Sequence, residues 1–222
     1  MTDADARRRA DALYMDLALA LARARTGRTA PNPAVGCVLV RDGRILATGA
    51  TADGGRPHAE RVALEAAGEA ARGATAYVTL EPCAFEGQSG ACSRRLTEAG
   101  VARVVTACRD EHPDVAGAGL QALQAAGIAI EEGLRSNEAR RLYEGFFHRL
   151  RTGRPCVYAD DRASRYDAVL DPTDPRETGV LLDAPGAAGV NRACVVGDSA
   201  LGRRLAAAGA LLRPGAVGDT PY

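Results

Sequence analysis

Ala74-Thr75-Ala76-Tyr77-Val78-Thr79-Leu80-Glu81-Pro82-Cys83 is the stretch whose reading decides the fold. Ala74 to Leu80 is a short apolar run of the kind that forms a buried strand. Pro82-Cys83 follows it directly, at the carboxyl end, where open α/β sheets bind their ligands. Downstream, Val101 to Cys108 and Ile128 to Glu132 repeat the strand-like pattern, and helical segments at His58 to Ala71, Ser93 to Ala99 and Gly117 to Ala126 alternate with them. Helix-length crossovers of this kind make successive strands parallel. Upstream, Ala34 to Arg41 and Arg44 to Gly49 flank Asp42-Gly43, which signals a type I′ hairpin. The pattern predicts an α/β sandwich with a mixed sheet, antiparallel at the first hairpin and parallel afterwards. A helix from Asp3 to Ala24, stopped by Gly27, opens the chain. Another, from Ser136 to Leu150, carries Leu142, Phe146 and Leu150 at helical spacing with Tyr143 and Phe147 beside them. Phe146-Phe147 reads as core or oligomer contact, and His148 as a surface or interface residue.

The chemistry lies in His58-Ala59-Glu60, Pro82-Cys83 and Cys92. One imidazole and two thiolates fill three corners of a zinc tetrahedron and leave the fourth for water, whose pKa the metal lowers from ~15.7 to ~7. Glu60 is the carboxylate left to move protons. Pro57 fits a first-turn position, and Ala59 to Ala71 is free of proline and rich in Ala and Glu, so His58 stands at or near a helix N-terminus. A second helix opens close to Cys92 and ends at Gly100. Two helix N-termini aimed at one metal favour thiolates. The zinc deaminase signature is H-x-E followed by P-C-x-x-C; here the eight residues Ala84 to Ala91 separate the cysteines. A closed structural zinc site needs a fourth protein ligand, and neither His112 nor His148 has a partner at ligand spacing. Cys37 and Cys108 sit in apolar runs where a buried thiol is the default.

Composition removes other classes. The 222 residues suffice for one full domain plus an appendage. All 28 cationic residues are arginine, which excludes the phosphate-loop, Schiff-base and pyridoxal-phosphate enzymes that depend on lysine. Zero formal charge, a pI near 6.8 and 4% aromatic residues argue against a nucleic-acid partner. The start, Met1-Thr2-Asp3-Ala4-Asp5, is acidic and leads into an arginine-rich amphipathic helix. This lacks the layout of a signal peptide, and no stretch is apolar enough to span a membrane. The expectation is a cytoplasmic protein with no membrane partner, and the scattered cysteines agree with that compartment.

On these motifs the chain resembles the zinc-dependent pyrimidine deaminases of riboflavin biosynthesis, within the cytidine deaminase-like superfamily. The resemblance runs from about Ala12 to Pro155. It includes Tyr14-Met15, Thr29-Ala30-Pro31-Asn32-Pro33, Val35-Gly36-Cys37-Val38, Gly55-Arg56-Pro57-His58-Ala59-Glu60, Tyr77 through Cys83, Ala99 through Val104, Val115-Ala116-Gly117 and Ala126-Gly127-Ile128. The eight-residue gap between cysteines matches this family and separates it from cytidine and tRNA-adenosine deaminases. The resemblance implies a three-layer α/β/α sandwich on a five-stranded mixed sheet and a homo-oligomer. It further implies Zn2+ on His58, Cys83 and Cys92, Glu60 as proton shuttle, and Asn32 against the pyrimidine. A carboxamide offers the donor and acceptor that a ring amide edge requires, although Pro-Asn-Pro is equally a rigid turn. The implied reaction is hydrolytic deamination of 2,5-diamino-6-ribosylamino-4(3H)-pyrimidinone 5′-phosphate.

Departures from the family pattern bear on the substrate. Phe85 and Gln88 stand where the family carries an imidazole and a cation that meet the ribose phosphate, and Glu86 adds negative charge. Thr51 replaces a histidine, and Glu111-His112 replaces Pro-Asn; His112 is then a donor from another loop. Thr51, Gln88 and His112 join Asn32 as candidate substrate contacts. An unphosphorylated or pterin-like amine is the alternative substrate, and a catalytically silent zinc-stabilised binding protein the alternative function. Residues 1–154 form the expected deaminase domain. Residues 155–222 form a short C-terminal appendage, or a truncated or degenerate reductase remnant: the lysine that opens the reductase of many relatives is missing. Asp167 to Leu182, with two prolines and several acids, reads as a linker, Ala193 to Val196 as a strand and Ser199 to Ala208 as a helix. Gly186-Ala187-Ala188-Gly189 lacks the strand-loop-helix context of a dinucleotide site.

Overall fold

The computed structural model describes residues 2–84, 90–112 and 116–212. The chain divides into two compact units. The first holds residues 1–25, 34–52 and 56–140, and the second residues 26–33, 53–55 and 141–222.

In the first unit, α1 (Asp3–Arg23) starts at a capping box in which Thr2 and Asp5 each accept the other's backbone N–H. Met15, Ala18, Leu19 and Ala22 recur at helical spacing and are buried, so this face packs on the sheet. The hairpin of β1 (Gly36–Arg41) and β2 (Arg44–Ala50) turns at Asp42 and Gly43, whose φ angles of 52° and 73° are both positive. That is the type I′ signature the Asp-Gly pair predicts. Next come α2 (Ala59–Ala67), β3 (Thr75–Val78), α3 (Cys92–Glu98), β4 (Arg103–Thr106), α4 (Ala118–Ala125) and β5 (Ala129–Glu132). The sheet order is β2-β1-β3-β4-β5. β1 runs antiparallel to both neighbours, and the β3/β4 and β4/β5 pairs are parallel. The mixed five-stranded α/β architecture expected from the sequence is present.

Two glycines show which helix covers which face. A Cβ on Gly36 would lie 1.9 Å from the Ala18 carbonyl oxygen of α1, and one on Gly49 would lie 2.1 Å from the Ala59 oxygen of α2. Gly49 pairs with Cys37, the neighbour of Gly36, so the two contacts lie on opposite faces of the sheet. α1 is bolted to its face by a buried charge. Asp11 accepts two hydrogen bonds from Arg103, at 3.0 and 2.7 Å, and one from the Tyr77 hydroxyl; Arg103 also meets Glu131. Burial acts to raise the Asp11 pKa, but the hydrogen bonds from Arg103 and Tyr77 outweigh it and hold the carboxyl below its ordinary value.

α5 (Ser136–Thr152) begins in the first unit and continues into the second. Tyr143, Phe146 and Phe147 are buried, which supports the core reading of that aromatic pair; His148 is half-buried. The second unit contains β6 (Cys156–Ala159), β7 (Ala168–Val169), α6 (Thr178–Ala187), β8 (Arg192–Val195) and α7 (Ala200–Ala207). Its three strands are parallel in the order β6-β8-β7. The expected strand near Ala193 and helix after Ser199 are both found, and the Ser199 hydroxyl caps α7 by accepting the Gly202 N–H at 3.0 Å. The stretch read as a linker differs, because 167–182 contains β7 and the start of α6. Leu170, Leu181 and Leu182 bury there against Val157, Val195, Leu201 and Leu205 and supply a core that its prolines and acids disguise. None of the six cysteines is in a disulfide. Among the described residues no helix is long and apolar enough to cross a membrane.

Candidate metal centre

Three local structures converge at the carboxyl end of β3. His58 is the N-cap of α2, with extended backbone (φ −69°, ψ 158°), so its side chain stands clear of the helix it starts. Pro57 therefore sits before the cap rather than in the first turn. Glu60, the second residue of α2, is only 3% exposed. Cys83 lies in the irregular segment after β3, and Cys92 is the first residue of α3. The Cys92 N–H, one of the unpaired donors of a helix start, points at the Cys83 sulfur at 3.4 Å. The Cys83 carbonyl in turn accepts the Ser93 N–H at 3.1 Å.

The donor atoms fit a tetrahedral metal. His58 Nδ1 lies 3.7 Å from Cys83 Sγ and 3.4 Å from Cys92 Sγ, and all three ligand atoms fall within 4.8 Å of one another. Bond lengths of about 2.3 Å to sulfur and 2.05 Å to nitrogen place N and S donors about 3.6 Å apart in a tetrahedron. The electrostatics also suit a cation. The Cys83 thiol is drawn down to about 4, first by its hydrogen bond with Cys92, with His58 and the Cys92 amide contributing against burial. The Cys92 thiol is pushed up by Cys83, burial and Glu60, because a second thiolate beside the first is repelled. Two thiolates and a carboxylate share this buried space comfortably only with positive charge among them.

Glu60 is lifted to about 7, mainly by burial and then by the charge of Cys83, with His58 opposing. A buried carboxyl outside the ligand set is left to take up and give back a proton. His58 is raised by its hydrogen bond with Cys83, which outweighs desolvation.

The candidate substrate residues are placed as follows. Thr51 is 1% exposed, and its hydroxyl accepts the Val35 N–H at 2.9 Å, so it is engaged in backbone pairing. His112 is half-buried, and its backbone N–H donates to the Asp110 carboxylate at 2.8 Å. Asn32 belongs to the second unit, where its carboxamide donates to the Gly55 carbonyl at 2.8 Å. Gln88, with Phe85 and Glu86, lies outside the described residues. Glu81 is not among the residues to which the sequence motifs give a role. Its carboxylate is buried and accepts four backbone N–H groups. The signal available was a carboxylate set directly before Pro82-Cys83.

Residues 8–108 match the family model for the cytidine and deoxycytidylate deaminase zinc-binding region. The diaminohydroxyphosphoribosylamino-pyrimidine deaminase of Buchnera aphidicola is 43% identical over 145 residues, which cover 65% of this chain and 99% of that protein. This chain belongs to the diaminohydroxyphosphoribosylaminopyrimidine deaminase family. The riboflavin biosynthesis protein RibD of Escherichia coli is 52% identical over 147 residues, 66% of this chain and 40% of the relative. The chain thus spans less than half the length of such RibD relatives. Form 1 of Acinetobacter baumannii RibD superposes with a TM-score of 0.81 at 26% identity, covering 92% of this chain and 85% of that one. The zinc-binding-region match, residues 8–108, spans His58, Glu60, Cys83 and Cys92. The zinc expected from the sequence therefore agrees with both the family and the donor set.

Proposed function

We propose that this chain catalyses the hydrolytic deamination of a riboflavin-pathway diaminopyrimidine carrying a ribosylamino 5′-phosphate, with release of ammonia. The observation that carries the reading is the convergence of His58, Cys83 and Cys92 within ligand distance beside a buried carboxyl, Glu60, that belongs to none of the three. Zn2+ held by the three ligands supplies Lewis-acid activation of a water. Glu60 takes a proton from the attacking water and passes it to a ring nitrogen. Glu60 then takes the second water proton from the hydroxyl now on the amine-bearing carbon and delivers it to the amine as the carbon–nitrogen bond breaks and the carbonyl forms, so that water is consumed and ammonia leaves. The N-termini of α2 and α3 hold the imidazole and the Cys92 thiolate in place and favour negative charge at the site.

Asn32, Gln88 and His112 remain the proposed substrate contacts; the buried Thr51 hydroxyl, which accepts the Val35 N–H, is left to hold the backbone. We assign the chemistry to residues 1–154 and treat residues 155–222 as an accessory region. A cytoplasmic homo-oligomer completes the proposal: the isolated cysteines suit a reducing compartment, and sedimentation at micromolar concentration tests the association.

The test is ammonia release from the riboflavin precursor with and without its phosphate. The proposal expects turnover of the phosphorylated compound. Turnover only of the dephosphorylated one would transfer the assignment to a redirected deaminase, and silence on both with zinc bound would overturn it.

A further inference from the structure

Glu81 stands two residues before Cys83, and its side chain is 3% exposed. Oε2 accepts the N–H groups of Asp110 at 3.3 Å and Gly117 at 3.0 Å; Oε1 accepts those of Gly119 at 3.1 Å and Leu120 at 3.3 Å. One oxygen therefore ties together the two ends of the 110–117 segment, and the other satisfies donors in the first turn of α4 that no helical carbonyl can reach. The Glu81 N–H donates to the Cys108 carbonyl at 3.0 Å, so backbone and side chain of the same residue grip the same neighbouring connection. Beyond it, α4 presses directly on the chain that leads to the ligand: a Cβ on Gly119 would lie 1.7 Å from the Pro82 carbonyl oxygen. On its other side Cys83 is fixed to the start of α3 through the Cys92 and Ser93 N–H groups.

We propose that Glu81 is a positioning residue for the metal centre: its carboxylate locks the Pro82–Cys83 segment against the start of α4 and the ends of the 110–117 segment, and thereby sets where the Cys83 sulfur stands. The role follows from the bond pattern. A carboxylate can accept all four N–H groups, whereas a carboxamide turns one donor group toward donors and cannot. The packing at Gly119 leaves no slack through which α4 could compensate. The inference rests on the zinc reading above, and its readouts need no turnover.

The experiment measures zinc retention against a chromophoric chelator, and the visible spectrum of the Co2+-substituted chain, for wild type, Glu81→Gln, Glu81→Asp and Gly119→Ala. Positioning of ligands by surrounding groups is worth about 10- to 100-fold in metal affinity. Glu81→Gln should lose zinc at least tenfold more readily and show a shifted thiolate-to-cobalt band, with Glu81→Asp recovering part of both. Gly119→Ala, which leaves the carboxylate intact and displaces Pro82, should weaken retention in the same direction. Wild-type retention and an unchanged cobalt spectrum in a folded Glu81→Gln chain would overturn the proposal. Should that variant not fold, normal retention in Gly119→Ala would overturn it instead. A wild-type chain that holds zinc but releases no ammonia would sink the functional reading while the Glu81 comparison still decides.

Discussion

Replacing Asp11 with Asn tests whether the buried ion pair fastens α1 to the sheet. Arg103 is 11% exposed at its side chain, and among the described residues its other anionic partner is Glu131, whose side chain is 49% exposed. Removing one partner of a buried pair costs about 3–5 kcal/mol, because the remaining charge stays desolvated. Glu131 keeps part of the compensation, which places the expected loss near the lower end, about 3 kcal/mol. For a chain of this length that is roughly 6–12 °C in Tm. The assay is thermal unfolding followed by far-ultraviolet circular dichroism, repeated from neutral to acid pH. The Asp11 pKa is depressed in the folded state. Its contribution is therefore fully present above the unfolded value of ~3.9 and is lost as pH falls through the folded value. Wild type and variant should be far apart at pH 7 and converge below about pH 4. Adding Tyr77→Phe should cost less in the variant than in wild type, since both changes act on one network. A Tm change under about 2 °C, or a gap that stays constant down to acid pH, would refute the reasoning.

Two further changes probe the scaffold. Gly49→Ala places a Cβ 2.1 Å from the Ala59 oxygen and 2.7 Å from the Ala63 nitrogen, both backbone atoms of α2. It should cost about 1–3 kcal/mol in denaturant melts and lower ammonia release as well, since α2 carries Glu60 and starts at His58. Ser199→Ala removes the cap of α7 and should cost about 1 kcal/mol, read as faster limited proteolysis of the C-terminal region with zinc content unchanged.

Much of this architecture is legible in the sequence because local signals and tertiary needs agree there. Asp42-Gly43 announces its turn, since both residues must adopt positive φ. The apolar runs ending at Leu80 and Cys108 correspond to β3 and β4, trimmed by one to two residues at each end. The His58, Cys83 and Cys92 cluster was readable because a metal site demands particular side chains at particular spacings. Glu81 was not, because its partners are backbone N–H groups 29 to 39 residues away, and any residue type except proline can supply those. Pro57 misled by one position, since a proline suits both the first turn and the residue before a cap. The second unit was hard to read for a different reason. Its strand β7 has two residues, too few for any periodicity to show, and Pro172, Pro175 and the neighbouring acids hide the leucines that form its core.

In the proposed reaction three ligands hold zinc while a separate buried carboxyl moves the protons. The direct measurement is bound zinc together with ammonia release from the phosphorylated precursor, in wild type, Glu60→Gln and Cys83→Ser. Wild type and Glu60→Gln should each hold one zinc per chain, with turnover of the latter reduced about a hundred- to ten-thousandfold, and Cys83→Ser should lose both zinc and turnover. Near-normal ammonia release from Glu60→Gln, or a wild-type chain without tightly bound zinc, would contradict this assignment.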